Sequence, residues 1–351
     1  MTRATVETPR GSRVVTLRVA AVIEETADAR SLVFDVPPEA ADRFAYRPGQ
    51  FLTLRIPSER PEPVARCYSL ASSPFTGDPP QVTVKRTADG YGSNWLCDNV
   101  SVGDTLDVLP PQGTFTPASL DTDLLLWAAG SGITPVLSIL RSALAGGTGS
   151  VVLFYANRGP ESVIFAEALR ELVARYPDRV SVVHWLESLQ GLPTAAQLAR
   201  FARPYASYES FVCGPGPFMT AVTEALAGAG WPRERITTEV FVSLSGDPFA
   251  EPEPLDPAED ADAAQVEVEL DGAVHALRWP RSRTLVDVML ADGLDVPYSC
   301  REGECGSCAC TVVDGGVDMP ASGILDQDDI DAGYTLACQA RPRTDRVRIR
   351  F

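Results

Sequence analysis

Four cysteines near the end of the chain have a spacing that could bind iron. Cys300, Cys305 and Cys308 form a C-x4-C-x2-C run, and Cys338 follows after 29 further residues. Thiolates are soft ligands, and four of them at these intervals are typical of a plant-type 2Fe-2S cluster. A zinc site more often combines two short CxxC pairs, and this run contains one. We therefore predict that Cys300, Cys305, Cys308 and Cys338 are the metal ligands of a 2Fe-2S cluster.

A fifth cysteine in this region breaks the ligand pattern. Cys310 lies two residues beyond Cys308, where a strand is expected to begin, so we predict that it is a small buried apolar residue. Gly303 and Gly306 lie between the ligands, where a backbone without side chains can approach inorganic sulfide and donate N–H groups.

A second group of residues has the chemistry to hold a flavin. Arg66 could form paired charged hydrogen bonds with a pyrophosphate, Tyr68 could stack on the isoalloxazine ring, and the Ser69 hydroxyl could bond a ring nitrogen. The chain continues to Lys85, the single lysine of the protein. Gly92 then opens a predicted helix whose free N–H groups suit a phosphate.

Two glycine-rich turns indicate a dinucleotide site. Gly130 and Gly132 lie in the turn GSGITP, between an apolar strand and a helix. The segment CGPGPFM, which begins at Cys213, repeats the same strand, glycine and helix order. Two such turns at the carboxyl ends of parallel strands would enclose a dinucleotide. For Cys213, a place in the buried core and a place beside the nicotinamide both remain open.

The elements that must position these residues fall into three domains. We predict an antiparallel β-barrel for 12–118, because short β-rich runs alternate there with Pro/Gly turns. Strands and helices alternate over 119–243, which predicts a doubly wound α/β domain with a parallel sheet. The acidic, proline-rich residues 244–264 are predicted to be an exposed linker. Residues 265–351, with an Asp-Gly hairpin, a capped helix and a closing strand, predict an α+β β-grasp domain.

Composition and charge restrict the function further. The 351 residues carry a net charge of −17, and the last 108 of them hold 22 acidic residues against 9 arginines. Such a protein repels nucleic acid, whereas its acidic C-terminal third suits a basic protein partner, unless the charge only serves solubility. No apolar run is long enough to span a membrane, and the N-terminus lacks the apolar core of a signal peptide. We therefore expect a cytoplasmic protein, in which clustered cysteines bind metal more often than they form disulfides.

Several segments together resemble a known group of enzymes. The chain is similar to the ferredoxin–NADP⁺ reductase superfamily, and over residues 15–351 it resembles the reductase components of Rieske-type oxygenases. The segments that carry this resemblance are YRPGQF (46–51), RCYSL (66–70), VKRTADGYGS (84–93), AAGSGITPVLSIL (128–140), YANR (155–158), SVIF (162–165), CGPGPFM (213–219), YSCREGECGSCACTVV (298–313) and LACQARP (336–342). HWLESLQGLP (184–193) is similar to the steroid-hydroxylase branch of this group.

The resemblance implies roles for individual residues. Ser69, Thr134 and Cys213 would border the hydride transfer, and Phe241 would cover the flavin with Glu239 nearby. The cofactor contacts that it implies are Arg66, Tyr68, Ser69, Val84, Lys85, Arg86, Gly92 and Ser93 for the flavin, and Gly130, Gly132, Thr134, Arg158, Cys213 and Gly214 for the nucleotide.

The resemblance also implies an electron chain. NADH would reduce FAD, and the 2Fe-2S cluster would pass single electrons to a terminal Rieske-type oxygenase. FMN is the alternative flavin. NADPH is the alternative nucleotide, since Arg158 and Ser162 could receive a 2′-phosphate. A monomer is expected. There are two competing interpretations. In one, the same electron chain serves another oxygenase, either a phenylacetyl-CoA epoxygenase-type system or an aromatic-ring hydroxylase, and in the other the protein is an iron–sulfur redox sensor.

Overall fold

The computed structural model describes residues 13–58, 64–251, 253–254 and 262–351. Within these ranges the chain forms three larger sheets, one in each predicted domain. Over the same residues, no helix has both the length and the apolar character needed to cross a membrane.

The first sheet is antiparallel and curls into a barrel. Its strands lie in the order β4-β3-β6-β1-β2-β5, and a bridge between Leu70 and Val82 joins the two ends. Alternate side chains such as Leu52 and Leu54 fill the interior without solvent exposure. The elements are β1 Val15–Thr26, β2 Ala29–Asp35, β3 Phe51–Ile56, β4 Val64–Ser69, β5 Gln81–Lys85, α1 Tyr91–Asn99 and β6 Thr105–Gln112. The predicted antiparallel barrel is confirmed. The β-rich runs that predict it, at 14–22, 32–36, 51–56 and 81–86, correspond to β1, β2, β3 and β5, whereas β4 and β6 lie outside those runs.

The second sheet is parallel and places two strand ends side by side. Its order is β11-β10-β7-β8-β9, so β7 pairs with β8 on one side and with β10 on the other. Chain order reverses beside β7, which is where ligands bind in open α/β sheets. The elements are β7 Leu124–Ala129, α2 Ile133–Gly146, β8 Val151–Asn157, α3 Ala166–Arg175, β9 Val180–Leu186, α4 Glu187–Gln190, α5 Ala195–Ala202, β10 Glu209–Cys213, α6 Gly216–Gly228 and β11 Ile236–Glu239. The predicted doubly wound domain is confirmed.

The third sheet is mixed and belongs to the β-grasp domain. The order is β13-β12-β18-β14-β16, with β12 and β18 parallel and the other neighbours antiparallel. The turn between β12 and β13 uses left-handed backbone at Asp271 and Gly272, as the Asp-Gly signal predicts. The elements are β12 Ala264–Leu270, β13 Ala273–Trp279, α7 Leu285–Ala291, β14 Ala309–Asp314, β15 Val317–Asp318, α8 Gln327–Asp331, β16 Tyr334–Leu336, β17 Arg341–Pro342 and β18 Arg346–Arg350.

The prediction of an exposed linker over 244–264 is wrong for its first residues. Leu244 and Phe249 are buried in the core of the β-grasp domain, and the guanidinium of Arg55 lies 4.7 Å from the centre of the Phe249 ring. Composition favoured exposure because proline and acidic residues dominate, but two large apolar side chains suffice to anchor a short segment. Residue 252 and residues 255–261 of this segment lie outside the described residues.

Candidate functional site

The predicted flavin residues surround one cavity of about 280 Å³. Tyr68 and Ser69 reach it from the end of β4, and Thr134 reaches it from the start of α2. The cavity therefore lies between the barrel and the nucleotide domain. The predicted residues that line it are Arg66, Tyr68, Ser69, Lys85, Gly92, Ser93, Thr134 and Phe241. The lining also includes Thr83, Thr87 and Ser131, which were not singled out as cofactor contacts from the sequence.

The polar end of this cavity fits an anion. Gly92 lies in the first turn of α1, and a β-carbon placed on it would come within 3.0 Å of the Arg66 side chain. The missing side chain thus lets Arg66 lie across the helix N-terminus, which has no side-chain cap. A guanidinium beside free helix N–H groups is a suitable environment for the pyrophosphate of a flavin. Arg66 also donates a hydrogen bond of 3.0 Å to the carbonyl of Leu244.

Two predicted flavin contacts do not reach the cavity with their side chains. Successive side chains of a strand point to opposite faces, so Thr83 and Lys85 face the cavity while Val84 is buried in the barrel core. Arg86 turns away and forms a 2.7 Å ion pair with Asp98. Val84 and Arg86 therefore stay predicted flavin contacts, and from these positions such contacts would have to come from their backbone rather than from their side chains.

The two glycine-rich turns touch each other. A β-carbon on Gly132 would lie 2.2 Å from the carbonyl oxygen of Cys213, so only glycine allows this approach. Thr134 is buried and donates to the carbonyl of Ser131. Cys213 is fully buried, and burial raises the pKa of its thiol, with a smaller contribution from Glu239. The side chain of Cys213 therefore lies in the buried core, as the first of the two interpretations holds. The next residue, Gly214, packs closely against Ala129.

A second cavity, of about 410 Å³, opens at the carboxyl ends of β7 and β8. Gly130 and Arg158 line it together with Trp185 and Glu187, which the sequence did not single out as contacts. Its mostly apolar wall suits an adenine ring, and Glu187 adds a carboxylate to the lining. Ser162 is occupied elsewhere, because its hydroxyl donates to the carbonyl of Gly159.

The four predicted ligand cysteines come together in the β-grasp domain. Cys300, Cys308 and Cys338 are buried and Cys305 is half-buried, all within one core. Hydrogen bonds from the Cys305 and Cys338 thiols lower the pKa of Cys300, so the sulfur atoms are close neighbours. Within the described residues, no three His, Cys, Asp or Glu side chains converge on a single metal ion. A 2Fe-2S cluster differs from such a site because its four thiolates are shared between two irons.

The loop around these sulfurs fits a cluster. The backbone N–H groups of Glu302 and Glu304 both donate to the Cys300 sulfur at 3.4 Å. Left-handed backbone at Gly303 and Gly306 bends the loop around the sulfurs. Cys310 is buried on β14 opposite Thr335, and burial raises the pKa of its thiol.

A third cavity, of about 400 Å³, joins the flavin site to the cluster site. Ser69 and Phe241 line it on one side, and Cys300 and Cys305 line it on the other. Glu239 also lines this cavity and accepts a 3.4 Å hydrogen bond from Ser69. Burial raises the pKa of Glu239 to about 8, and the Ser69 hydrogen bond lowers it in part. The predicted flavin site and the predicted cluster site therefore border the same cavity.

Comparison with known proteins gives the same three-part division. Residues 16–116 match the oxidoreductase FAD-binding domain, residues 126–224 the oxidoreductase NAD-binding domain, and residues 268–343 the 2Fe-2S iron-sulfur cluster binding domain. The ferredoxin reductase component of 3-ketosteroid-9-alpha-monooxygenase from Rhodococcus rhodochrous is 68% identical over 349 residues, covering 99% of each chain. The chain belongs to the family of these ferredoxin reductase components. It is thus an oxidoreductase that uses NADH, FAD and a 2Fe-2S cluster.

A more distant relative matches this chain over nearly its whole length, and a solved structure has a similar fold. One component of the 1,2-phenylacetyl-CoA epoxidase of Escherichia coli is 33% identical over 351 residues, covering 95% of this chain and 97% of that protein. Among solved structures, phthalate dioxygenase reductase aligns with a TM-score of 0.57 and 24% identity, covering 96% of this chain and 98% of that one. At this level of identity the similarity shows a shared fold and nothing further.

Proposed function

We propose that this protein passes electrons from NADH through FAD and a 2Fe-2S cluster to a terminal Rieske-type oxygenase, and that this oxygenase is a 3-ketosteroid 9α-hydroxylase. When bound, the flavin accepts a hydride and the cluster carries single electrons. The observation that supports the proposal most is the cavity lined by both Ser69 and Cys300, since it brings a flavin side and a cluster side together. The 68% identical relative supports the steroid substrate class.

The proposed site residues act by binding and orientation. Arg66 and the N-terminus of α1 would hold the flavin pyrophosphate, and Tyr68 would pack against its ring. Ser69 and Thr134 would border the space where the hydride is exchanged, while Cys213 would contribute backbone there because its side chain is buried. Cys300, Cys305, Cys308 and Cys338 would hold the cluster. None of these roles needs a general acid or base.

The nucleotide cavity favours NADH over NADPH. Glu187 can accept hydrogen bonds from both ribose hydroxyl groups, whereas its negative charge would repel a 2′-phosphate. The side chain of Arg158 is largely exposed, and its guanidinium lies 3.9 Å from the carboxylate of Asp28. We expect the Glu187→Gln variant to gain activity with NADPH relative to NADH, and unchanged selectivity would contradict this role.

The proposal extends to the organisation of the protein. The domains 12–118, 119–243 and 265–351 are supported by the three sheets, with 244–264 as the connection between the last two. We place the protein in the cytoplasm as a monomer that binds its oxygenase through the acidic β-grasp domain.

Reconstitution tests the proposed partner. The purified protein with NADH should support hydroxylation of a 3-ketosteroid by a steroid 9α-hydroxylase oxygenase, and it should support a phenylacetyl-CoA epoxidase much less. Equal or greater turnover with the epoxidase would favour the second candidate, which the 33% identical relative suggests. Cluster reduction by NADH without transfer to either partner would favour a redox sensor.

A further inference from the structure

A buried polar contact joins the flavin barrel to the β-grasp domain. On β3, Leu52 and Leu54 point into the barrel core, so the side chain of Thr53 between them points outward. Thr53 is nevertheless completely buried. On β4, its antiparallel partner Cys67 also faces outward and packs against the core of the β-grasp domain. The outer face of the barrel is therefore covered at this point by the cluster domain.

The contact leads directly to a predicted cluster ligand. The hydroxyl oxygens of Thr53 and Ser299 are 2.5 Å apart, and Ser299, which is also buried, immediately precedes Cys300. The Thr53 hydroxyl also lies 3.4 Å from the sulfur of Cys67. Since Cys67 precedes Tyr68 and Ser69, one short chain of contacts connects the flavin strand to the ligand loop.

Other contacts also hold the β-grasp domain in place. Arg13 forms a 2.9 Å ion pair with Asp295, which is largely exposed. Glu302 accepts a hydrogen bond of 2.9 Å from the backbone N–H of Ser245 at an exposed position. The Glu302 contact is open to water, whereas Arg13 is buried and also donates a 2.6 Å hydrogen bond to the carbonyl of Val296. Val296 lies four residues before Cys300, whereas Ser299 is the direct neighbour of that cysteine. The Arg13 contacts therefore hold the ligand cysteine less directly than the Thr53 contact does.

We propose that Thr53 is a positioning residue for electron transfer from the flavin to the cluster, and that it acts by holding Ser299 and therefore Cys300 in place against the flavin cavity. This inference rests on the proposed function. In the step that Thr53 assists, one electron leaves the reduced flavin and enters the oxidised cluster, and no bond or proton changes at Thr53 itself. The rate of such a step falls steeply with distance, so a small displacement of the loop is enough to slow it.

Two substitutions separate the effect of the Thr53 hydroxyl from the effect of the side-chain volume. Thr53→Val keeps the volume and leaves the Ser299 hydroxyl buried without this partner, whereas Thr53→Ser keeps the hydroxyl. We expect Thr53→Val to raise the population of the displaced loop relative to the docked loop by about tenfold, which corresponds to about 1.4 kcal/mol. Thr53→Ser should keep most of the wild-type docking of the loop. In the double variant with Ser299→Ala, the two effects should be less than additive, because neither hydroxyl is then left unpaired.

Stopped-flow spectroscopy of the holoprotein provides the first measurement. In Thr53→Val, the protein should use NADH to reduce its flavin and to reduce ferricyanide at the wild-type rates. The later bleaching of the cluster should be slower than in wild type, by up to about tenfold. Ser142→Ala is the matched control, because Ser142 shares a buried hydroxyl pair of 2.8 Å with Ser73 at a different domain boundary. This control should not change the rate of cluster bleaching.

Hydrogen–deuterium exchange provides a measurement that does not depend on activity. Amides of residues 298–308 should exchange faster in Thr53→Val than in wild type, with iron content and visible spectrum unchanged. Wild-type exchange and wild-type cluster bleaching in Thr53→Val would overturn the proposal, and so would an equal slowing of every step. If NADH fails to reduce the cluster in the wild-type protein, the proposed function itself is wrong, and faster exchange in Thr53→Val would still show that Thr53 holds the loop.

Discussion

The buried carboxyl of Glu239 should make the stability of the protein depend on pH. Burial raises the pKa of this group from its ordinary value of 4.5 to about 8, although the Ser69 hydrogen bond opposes the shift. The folded state therefore binds the proton more tightly than the unfolded chain does. The stabilisation that results is fully present below pH 4.5 and is lost as the pH rises to about 8.

The shift sets the size of the expected effect. A pKa shift of this size means that folding favours the protonated carboxyl over the ionised one by about 5 kcal/mol. Part of the residue remains accessible to solvent, so water can relieve some of the cost of ionisation, and we expect about half of this value. Glu239→Gln mimics the protonated acid and removes the titration. Between pH 5.5 and 9 the wild type should lose the part of this stabilisation that lies above pH 5.5, about 1.7 kcal/mol, so its melting temperature should fall by about 3–7 °C relative to this variant.

Thermal denaturation of the flavin-loaded protein, followed by flavin fluorescence, measures this difference. Glu234→Gln is the control, because Glu234 is an exposed carboxylate a few residues before β11. It should follow the wild-type curve over the whole pH range. If the melting temperatures of wild type and Glu239→Gln run parallel between pH 5.5 and 9, Glu239 does not titrate in this range and the reasoning from burial fails.

Three further predictions concern the cluster, the nucleotide turns and the partner. Cys308→Ser should abolish the visible absorption of the cluster and Cys310→Ser should keep it, and the reverse result would overturn the ligand assignment. Gly132→Ala should destabilise the nucleotide domain by about 2–4 kcal/mol in urea unfolding, because its new methyl group would overlap the Cys213 carbonyl, whereas Gly228→Ala, with open space around it, should be neutral. Electron transfer to the oxygenase should slow by about tenfold or more from low to high salt in stopped-flow experiments if the acidic β-grasp domain steers a basic partner. The internal steps from NADH to the cluster should change much less, and a partner rate that stays flat would leave the charge as a solubility feature.

Local sequence patterns were sufficient to predict the three domain folds and to propose most residues of the candidate site. The cysteine spacing predicts the cluster loop because three of its ligands lie within nine residues, so the chain between them has few ways to arrange itself. Alternating apolar residues predict β3 and β12 because each has one face in its own domain's core. The glycine turns follow equally local rules.

Tertiary structure decided what depends on neighbours that are distant in the sequence. Strand β4 escaped prediction because its two faces pack against different domains, so its side chains do not alternate between apolar and polar. The direction of the side chains determines that Thr83 lines the flavin cavity and that the side chains of Val84 and Arg86 do not. The burial of Glu239 and the pairing of Thr53 with Ser299 arise only where separate domains meet. No short segment contains both partners of such a contact, and its energy depends on which surface the folded chain brings over it.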